Sequence, residues 1–149
     1  MSPIGMRRGV LIVEDDPWVS GYVSEILHKF AFQISGCASC APEATALAEM
    51  NTPGLAIADI HLTGPMDGIE VAQILRTRFN VPTIFLSGVE DVETLDRARL
   101  VCPLCLLKKP FLPSELVAAI PQWILDPVNR SFNSKDGPPP PRTAADLAR

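Results

Sequence analysis

Five short apolar runs, each about one strand long and each followed by a segment of helical periodicity, constrain this chain more than any other feature. They fall at residues 10–13, 32–35, 55–58, 83–86 and 104–107. Between them, apolar residues recur at three- and four-residue spacing, the mark of an amphipathic helix. Val19, Tyr22, Val23, Ile26, Leu27 and Phe30 form the first such stripe, and Ala44, Leu47, Ala48 and Met50 a weaker second. Ile69, Ala72, Ile74 and Leu75 follow, then Val92, Leu95, Ala98 and Leu100, and finally Leu116, Val117, Ile120 and Trp123. Strands alternating with helices require crossover connections. These favour a parallel sheet with helices on both faces. The nearly all-apolar strands fit a sheet buried on both sides.

Pro121 lacks an amide donor, so the last helix is expected to kink or end early there. After residue 125 large apolar side chains become scarce and Pro138 to Pro141 form a run. The reading is one domain over residues 8–125 and a Pro-rich, flexible C-terminal tail over 126–149. The tail is too short for a DNA-binding or enzymatic output domain. Up to residue 125 there are 9 Lys/Arg against 14 Asp/Glu, within a chain of net charge −4. That balance argues against direct DNA binding, which needs a basic face. No apolar run is long enough for a signal peptide or a membrane span. A cytoplasmic protein with reduced thiols is expected.

Four of the five strands run into polar chemistry at their carboxyl ends, where open parallel sheets bind ligands. "VLIV" leads into Glu14 and Asp15, "LAIA" into Asp59, "TIFL" into Ser87, and "LLK" into Lys109. Carboxylates are costly to gather at the end of a buried strand. A divalent cation among them removes that cost, and hard oxygen donors suit Mg²⁺. Asp59 beside such an ion is a nucleophile for a phosphoryl group, with Lys109 as a second positive charge and Ser87 as a hydrogen-bond donor. Each residue alone has an ordinary reading, so their joint placement carries the argument. Asp16, just before Pro17, is read as a helix N-cap rather than a metal ligand.

The stretches "VLIVEDDP", "LAIADIHLTGPMDGIEVA", "VPTIFLSG" and "KKPF" resemble the receiver domain of bacterial two-component response regulators, in order and in spacing, over about residues 8–125. The resemblance implies a flavodoxin-like (βα)5 fold with a doubly wound five-stranded parallel sheet in the order 2-1-3-4-5. It implies that Asp59 accepts a phosphoryl group from a histidine kinase or a histidine phosphotransfer protein. It also implies that Glu14, Asp15, Asp59 and the backbone carbonyl of His61 hold Mg²⁺, and that Ser87 and Lys109 contact the phosphoryl group. Output would be protein–protein contact, with a homodimer through helix 4, strand 5 and helix 5 as one form. Such a protein is not an enzyme on external substrates, but promotes its own phosphotransfer and dephosphorylation. Pro110 matches a proline usually preceded by a cis peptide.

Two features depart from the family pattern. The loop "IHLTGPMDG" is one residue longer than the commonest form. The switch position on the fifth strand, usually aromatic and paired with Ser87, holds Leu106. Leu106 supports an alternative, a receiver-fold adaptor or dimerisation module acting without phosphorylation. The complete set Glu14, Asp15, Asp59, Ser87 and Lys109 argues against it. A phosphohydrolase is disfavoured because "DIH" lacks the second aspartate of haloacid-dehalogenase-like phosphatases, and no Gly-rich phosphate loop occurs.

Two CxxC pairs, Cys37/Cys40 and Cys102/Cys105, have the look of a zinc site. In the implied strand order they lie on opposite sheet edges, about 19 Å apart at about 4.8 Å per strand. One monomer cannot close both on one ion. His28 is expected in the last turn of the first helix, where a cation suits the dipole.

Overall fold

Each apolar run becomes a strand or the approach to one. The structure, a computed structural model, describes residues 9–88 and 90–125; the expected tail over 126–149 lies outside them. The strands are β1 (Val10–Val13), β2 (Ile34–Ala38), β3 (Leu55–Asp59), β4 (Thr83–Ser87) and β5 (Cys105–Lys108). The helices are α1 (Pro17–Lys29), α2 (Ala41–Met50), α3 (Gly68–Phe79), α4 (Val92–Leu100) and α5 (Pro113–Ala119). The sheet runs β2-β1-β3-β4-β5, and every neighbouring pair is parallel. This is the expected doubly wound order.

Side chains alternate across a strand, so the two faces build separate cores. Leu11, Val13, Ala56, Ala58 and Phe85 pack beneath α2, α3 and α4. Val10, Ile12, Leu55, Ile57, Ile84 and Leu86 pack beneath α1 and α5. Every residue of β1, β3 and β4 is buried, which is why their sequences show no polar alternation. Burial of each large apolar side chain contributes about 1.5–3 kcal/mol.

Three expectations need correction. The second strand is Ile34–Ala38 rather than 32–35. Phe32 instead closes the end of α1. Ala31 takes a left-handed φ of 65°, its N–H donates to the His28 carbonyl at 3.1 Å, and the Phe32 N–H donates to the Leu27 carbonyl at 2.8 Å. That is a Schellman closure, with Phe32 and Leu27 sharing one core. The stripes assigned to α2 and α4 also include outward residues. Met50 and Leu100 are 83% and 82% exposed while Ala48 and Ala98 are buried. Residues two apart on a helix point about 200° apart, so both cannot face the sheet. Val92, in the first turn of α4, is exposed as well.

The local signals elsewhere hold. Asp16 caps α1, accepting from the Trp18 N–H at 2.9 Å, with Pro17 in the first turn. His28 lies in the last turn of α1. The α5 helix ends at Ala119, and a short 3₁₀ turn, Gln122–Ile124, follows Pro121. Cys37 in β2 and Cys105 in β5 stand on opposite edges of the sheet, and all four thiols are free. No helix among the described residues is long and apolar enough to cross a membrane.

Candidate functional site

The strand register brings the polar ends together. Asp59 is the last residue of β3 and lies opposite Leu86 of β4, one residue before Ser87. Ser87 in turn lies opposite Lys108, and the Lys109 N–H donates to the Ser87 carbonyl at 2.7 Å. Glu14 follows β1 and its N–H extends the ladder to the Ala38 carbonyl at 2.9 Å. Glu14, Asp59 and Ser87 are all buried. One carboxylate oxygen from each of Glu14, Asp15 and Asp59 lies within 4.8 Å of the others. Lys109 Nζ stands between two of them, 3.2 Å from Glu14 Oε1 and 3.1 Å from Asp59 Oδ2. The peptide joining Lys109 to Pro110 is cis, as expected.

The electrostatics follow from that packing. Burial, reinforced by the neighbouring Asp59 carboxylate, pushes the Glu14 pKa from its ordinary 4.5 up to about 7, against the pull of Lys109. Burial also works against the Lys109 ammonium, but the Asp59 and Glu14 carboxylates outweigh it and hold its pKa above the usual lysine range. Asp15 is shifted the other way: a hydrogen bond from the Thr63 side chain holds its carboxyl below the usual range. Glu14 Oε2 is buried with no hydrogen-bond partner among the described residues. Three carboxylates facing one ammonium leave uncompensated negative charge, and an orphaned carboxylate oxygen marks where compensation is missing. The donor set is all hard oxygen and suits Mg²⁺, which takes one or two carboxylates and keeps several waters.

The remaining residues of interest surround this cluster. Among the described residues, the Ser87 hydroxyl donates to the Gly88 carbonyl, at 3.4 Å, a long bond that is readily exchanged. The His61 N–H donates to Asp59 Oδ1 at 3.2 Å, while the His61 imidazole reaches out to Glu90. Leu106 lies opposite Phe85 and packs, half-buried, against the core beneath α2, α3 and α4.

The sequence alone singles out neither Thr63, in the loop after β3, nor Gly68, the first residue of α3. The Thr63 N–H donates to Asp15 Oδ2 at 2.8 Å and the Thr63 hydroxyl donates to the same oxygen. Gly68 opens α3 directly against the site strand: a Cβ there would lie 1.7 Å from the Asp59 carbonyl oxygen. Its N–H donates to the Ile60 carbonyl at 2.8 Å, and Asp67 and Glu70 form a capping box around it. "MDGIE" carries that signal, an acidic cap and a glycine ahead of an apolar stripe. Thr63 has no comparable local signature, because its partner lies 48 residues away.

Residues 10–121 match the response regulator receiver domain family. The chain is 33% identical over 113 residues to the transcriptional regulatory protein PdtaR of Mycobacterium tuberculosis, covering 76% of this chain and 55% of that protein. It is 32% identical over 119 residues to the phyllosphere-induced regulator PhyR of Methylorubrum extorquens, covering 78% of this chain and 43% of that one. The chain thus spans about half the length of the curated relatives it matches. Among solved structures it is similar to the signal receiver domain of a modulated diguanylate cyclase from Desulfovibrio desulfuricans, with TM-score 0.75 and 32% identity over 85% of this chain and 98% of that one. It is also similar to the PhyR receiver domain of Erythrobacter litoralis, with TM-score 0.65 and 28% identity over 79% and 90% of the two chains. With its strand order, its acidic cluster and the lysine that bridges it, this chain belongs to the receiver-domain family of two-component response regulators, which are signalling proteins.

Proposed function

We propose that the chain is a cytoplasmic phosphoacceptor. It would take a phosphoryl group onto Asp59 from a phosphohistidine of a histidine kinase or phosphotransfer protein and signal by protein–protein contact, not by binding DNA. The observation that carries this reading is the Glu14, Asp15 and Asp59 oxygens within 4.8 Å of one another, with Lys109 on Asp59 Oδ2. In the transfer, the N–P bond of the donor breaks as a bond forms from an Asp59 oxygen to phosphorus. Lys109 and the His61 N–H hold the Asp59 carboxylate from its two oxygens. Lys109 then offsets charge on the phosphoryl oxygens, and the Ser87 hydroxyl exchanges its weak bond to Gly88 for one to the phosphoryl group. Glu14, Asp15, Asp59 and the His61 carbonyl would hold Mg²⁺. When bound, the ion neutralises charge that develops at the reacting oxygens. The same residues would support hydrolysis of the aspartyl phosphate and so end the signal. A homodimer through α4, β5 and α5 is one form the output would take.

Intact-protein mass spectrometry after incubation with Mg²⁺ and acetyl phosphate tests the reading. One added phosphoryl group that requires Mg²⁺ and vanishes in Asp59→Asn is expected. No added mass, together with no ordering by beryllofluoride, would refute it in favour of an adaptor that works unphosphorylated, the reading Leu106 supports.

A further inference from the structure

Among the described residues, both hydrogen bonds to Asp15 Oδ2 from another residue's side chain or loop come from Thr63. One is from its N–H, at 2.8 Å, and the other from its hydroxyl. Thr63 is exposed and sits in the loop after β3. It packs into neither core. These two bonds tie this loop to the β1–α1 turn. Their consequence is directional. With Oδ2 committed to two donors, Asp15 cannot rotate freely about its last side-chain bond, and its carboxylate is held in one orientation beside Glu14 and Asp59. A flexible carboxylate beside two others would turn outward to water, because repulsion and hydration both favour it.

We propose that Thr63 is a positioning residue for the metal site: it holds the Asp15 carboxylate in one orientation and thereby sets the affinity for Mg²⁺. The proposal rests on the phosphoacceptor reading above. Residues that hydrogen-bond a metal-ligating carboxylate fix its orientation, and their loss costs about 10–100-fold in metal affinity. The backbone donor survives any side-chain change, so the lower end applies to loss of the hydroxyl alone.

The test compares wild type, Thr63→Val and Thr63→Ser. Thr63→Val removes the hydroxyl and keeps the branched shape; Thr63→Ser keeps the hydroxyl. Phosphorylation by acetyl phosphate is followed across a Mg²⁺ titration, and urea unfolding in EDTA checks that each variant folds. The expected result is a half-saturating Mg²⁺ concentration about tenfold higher in Thr63→Val. The rate at saturating Mg²⁺ should be little changed, and Thr63→Ser should return to the wild-type value. A merely structural role would lower stability in EDTA and leave the Mg²⁺ dependence alone. Equal half-saturation in wild type and Thr63→Val overturns the proposal, and so does tighter Mg²⁺ binding by the variant. If wild type itself takes no phosphoryl group and binds no Mg²⁺ by calorimetry, the phosphoacceptor reading fails with it, and the two failures are told apart.

Discussion

Glu14→Gln separates the cost of the buried carboxylate from its value to the site. The substitution keeps the size of the side chain and removes its ionisation. Glu14 has an ordinary pKa of 4.5 and is pushed up to about 7 in the folded protein, first by burial and then by Asp59. Between those two values the folded protein keeps a proton that the unfolded chain has released. Stability therefore falls as pH rises, because the folded state binds more protons. The contribution is intact below the unfolded value, declines through the interval and is fully lost above the folded value. At about 1.36 kcal/mol per pH unit the ceiling is about 3 kcal/mol. Lys109, partly open to solvent, shares the pair, and screening there brings the expected loss to about 2 kcal/mol. Urea unfolding in EDTA near pH 4.5 and near pH 8 gives the two stabilities. The glutamine variant should gain about 2 kcal/mol on wild type between the two, whatever fixed cost it pays for its weaker contact with Lys109. Added Mg²⁺ should recover most of the loss in wild type at the higher pH and little in the variant, since the cation binds the ionised form. Parallel pH profiles for the two proteins in EDTA would refute the account of a carboxylate buried against its charge.

The other expectations are simpler to check. Gly68→Ala places a methyl 1.7 Å from the Asp59 carbonyl oxygen, so the strand end or the helix must shift. Unfolding experiments should show a loss of about 2 kcal/mol, and phosphorylation should fall sharply. Lys109→Met strips the ammonium from between Glu14 and Asp59. In EDTA it should cost about 2 kcal/mol near pH 8 and much less near pH 4.5, where the carboxyls can take up protons. Asp16→Ala should cost about 1 kcal/mol through loss of the cap on α1 while leaving half-saturation by Mg²⁺ unchanged; a large change there would make Asp16 a ligand. Phe32→Ala should cost about 3 kcal/mol by emptying its place beneath α1, with no effect on the Mg²⁺ dependence.

Much of this architecture is legible because the chemistry is local. Val10–Val13, Leu55–Asp59 and Thr83–Ser87 are buried on both faces, so each reads as an apolar run with abrupt ends. Asp16 with Pro17 announces the start of α1, and Pro121 the finish of α5. The second strand reads out of place because it is an edge. Its residues Gly36 and Cys37 carry little apolar signal, while Phe32 looks like strand and serves as a helix closure. Met50 and Leu100 extend their stripes on paper yet stand exposed, because an apolar residue near the end of a stripe need not lie on its buried side. Strand register is not local at all, and the meeting of Glu14, Asp59 and Lys109 depends on it. That meeting became readable only through the spacing of several motifs taken together.

The loop after β3 shows why a site can be recognised and still be incomplete on paper. The strand ends carry Asp59, Ser87 and the approaches to Glu14 and Lys109, and the ladder holds all of them in fixed register. Asp15 stands one residue beyond Glu14 and has no such support from the sheet. What it has is Thr63, from the loop after β3. The same loop sends His61 to Glu90 on the opposite side of Asp59. The loop therefore ties the turn after β1 to the turn after β4 across the mouth of the site. A loop one residue shorter would have to give up the Thr63 bonds or the His61 contact, or else pull α3 away from the Asp59 carbonyl at Gly68. Shortening it by deleting Gly64 should therefore weaken Mg²⁺ binding by about the tenfold expected of Thr63→Val, or more, although it removes no ligand. Unchanged half-saturation in that deletion would show that Asp15 holds its orientation without the loop.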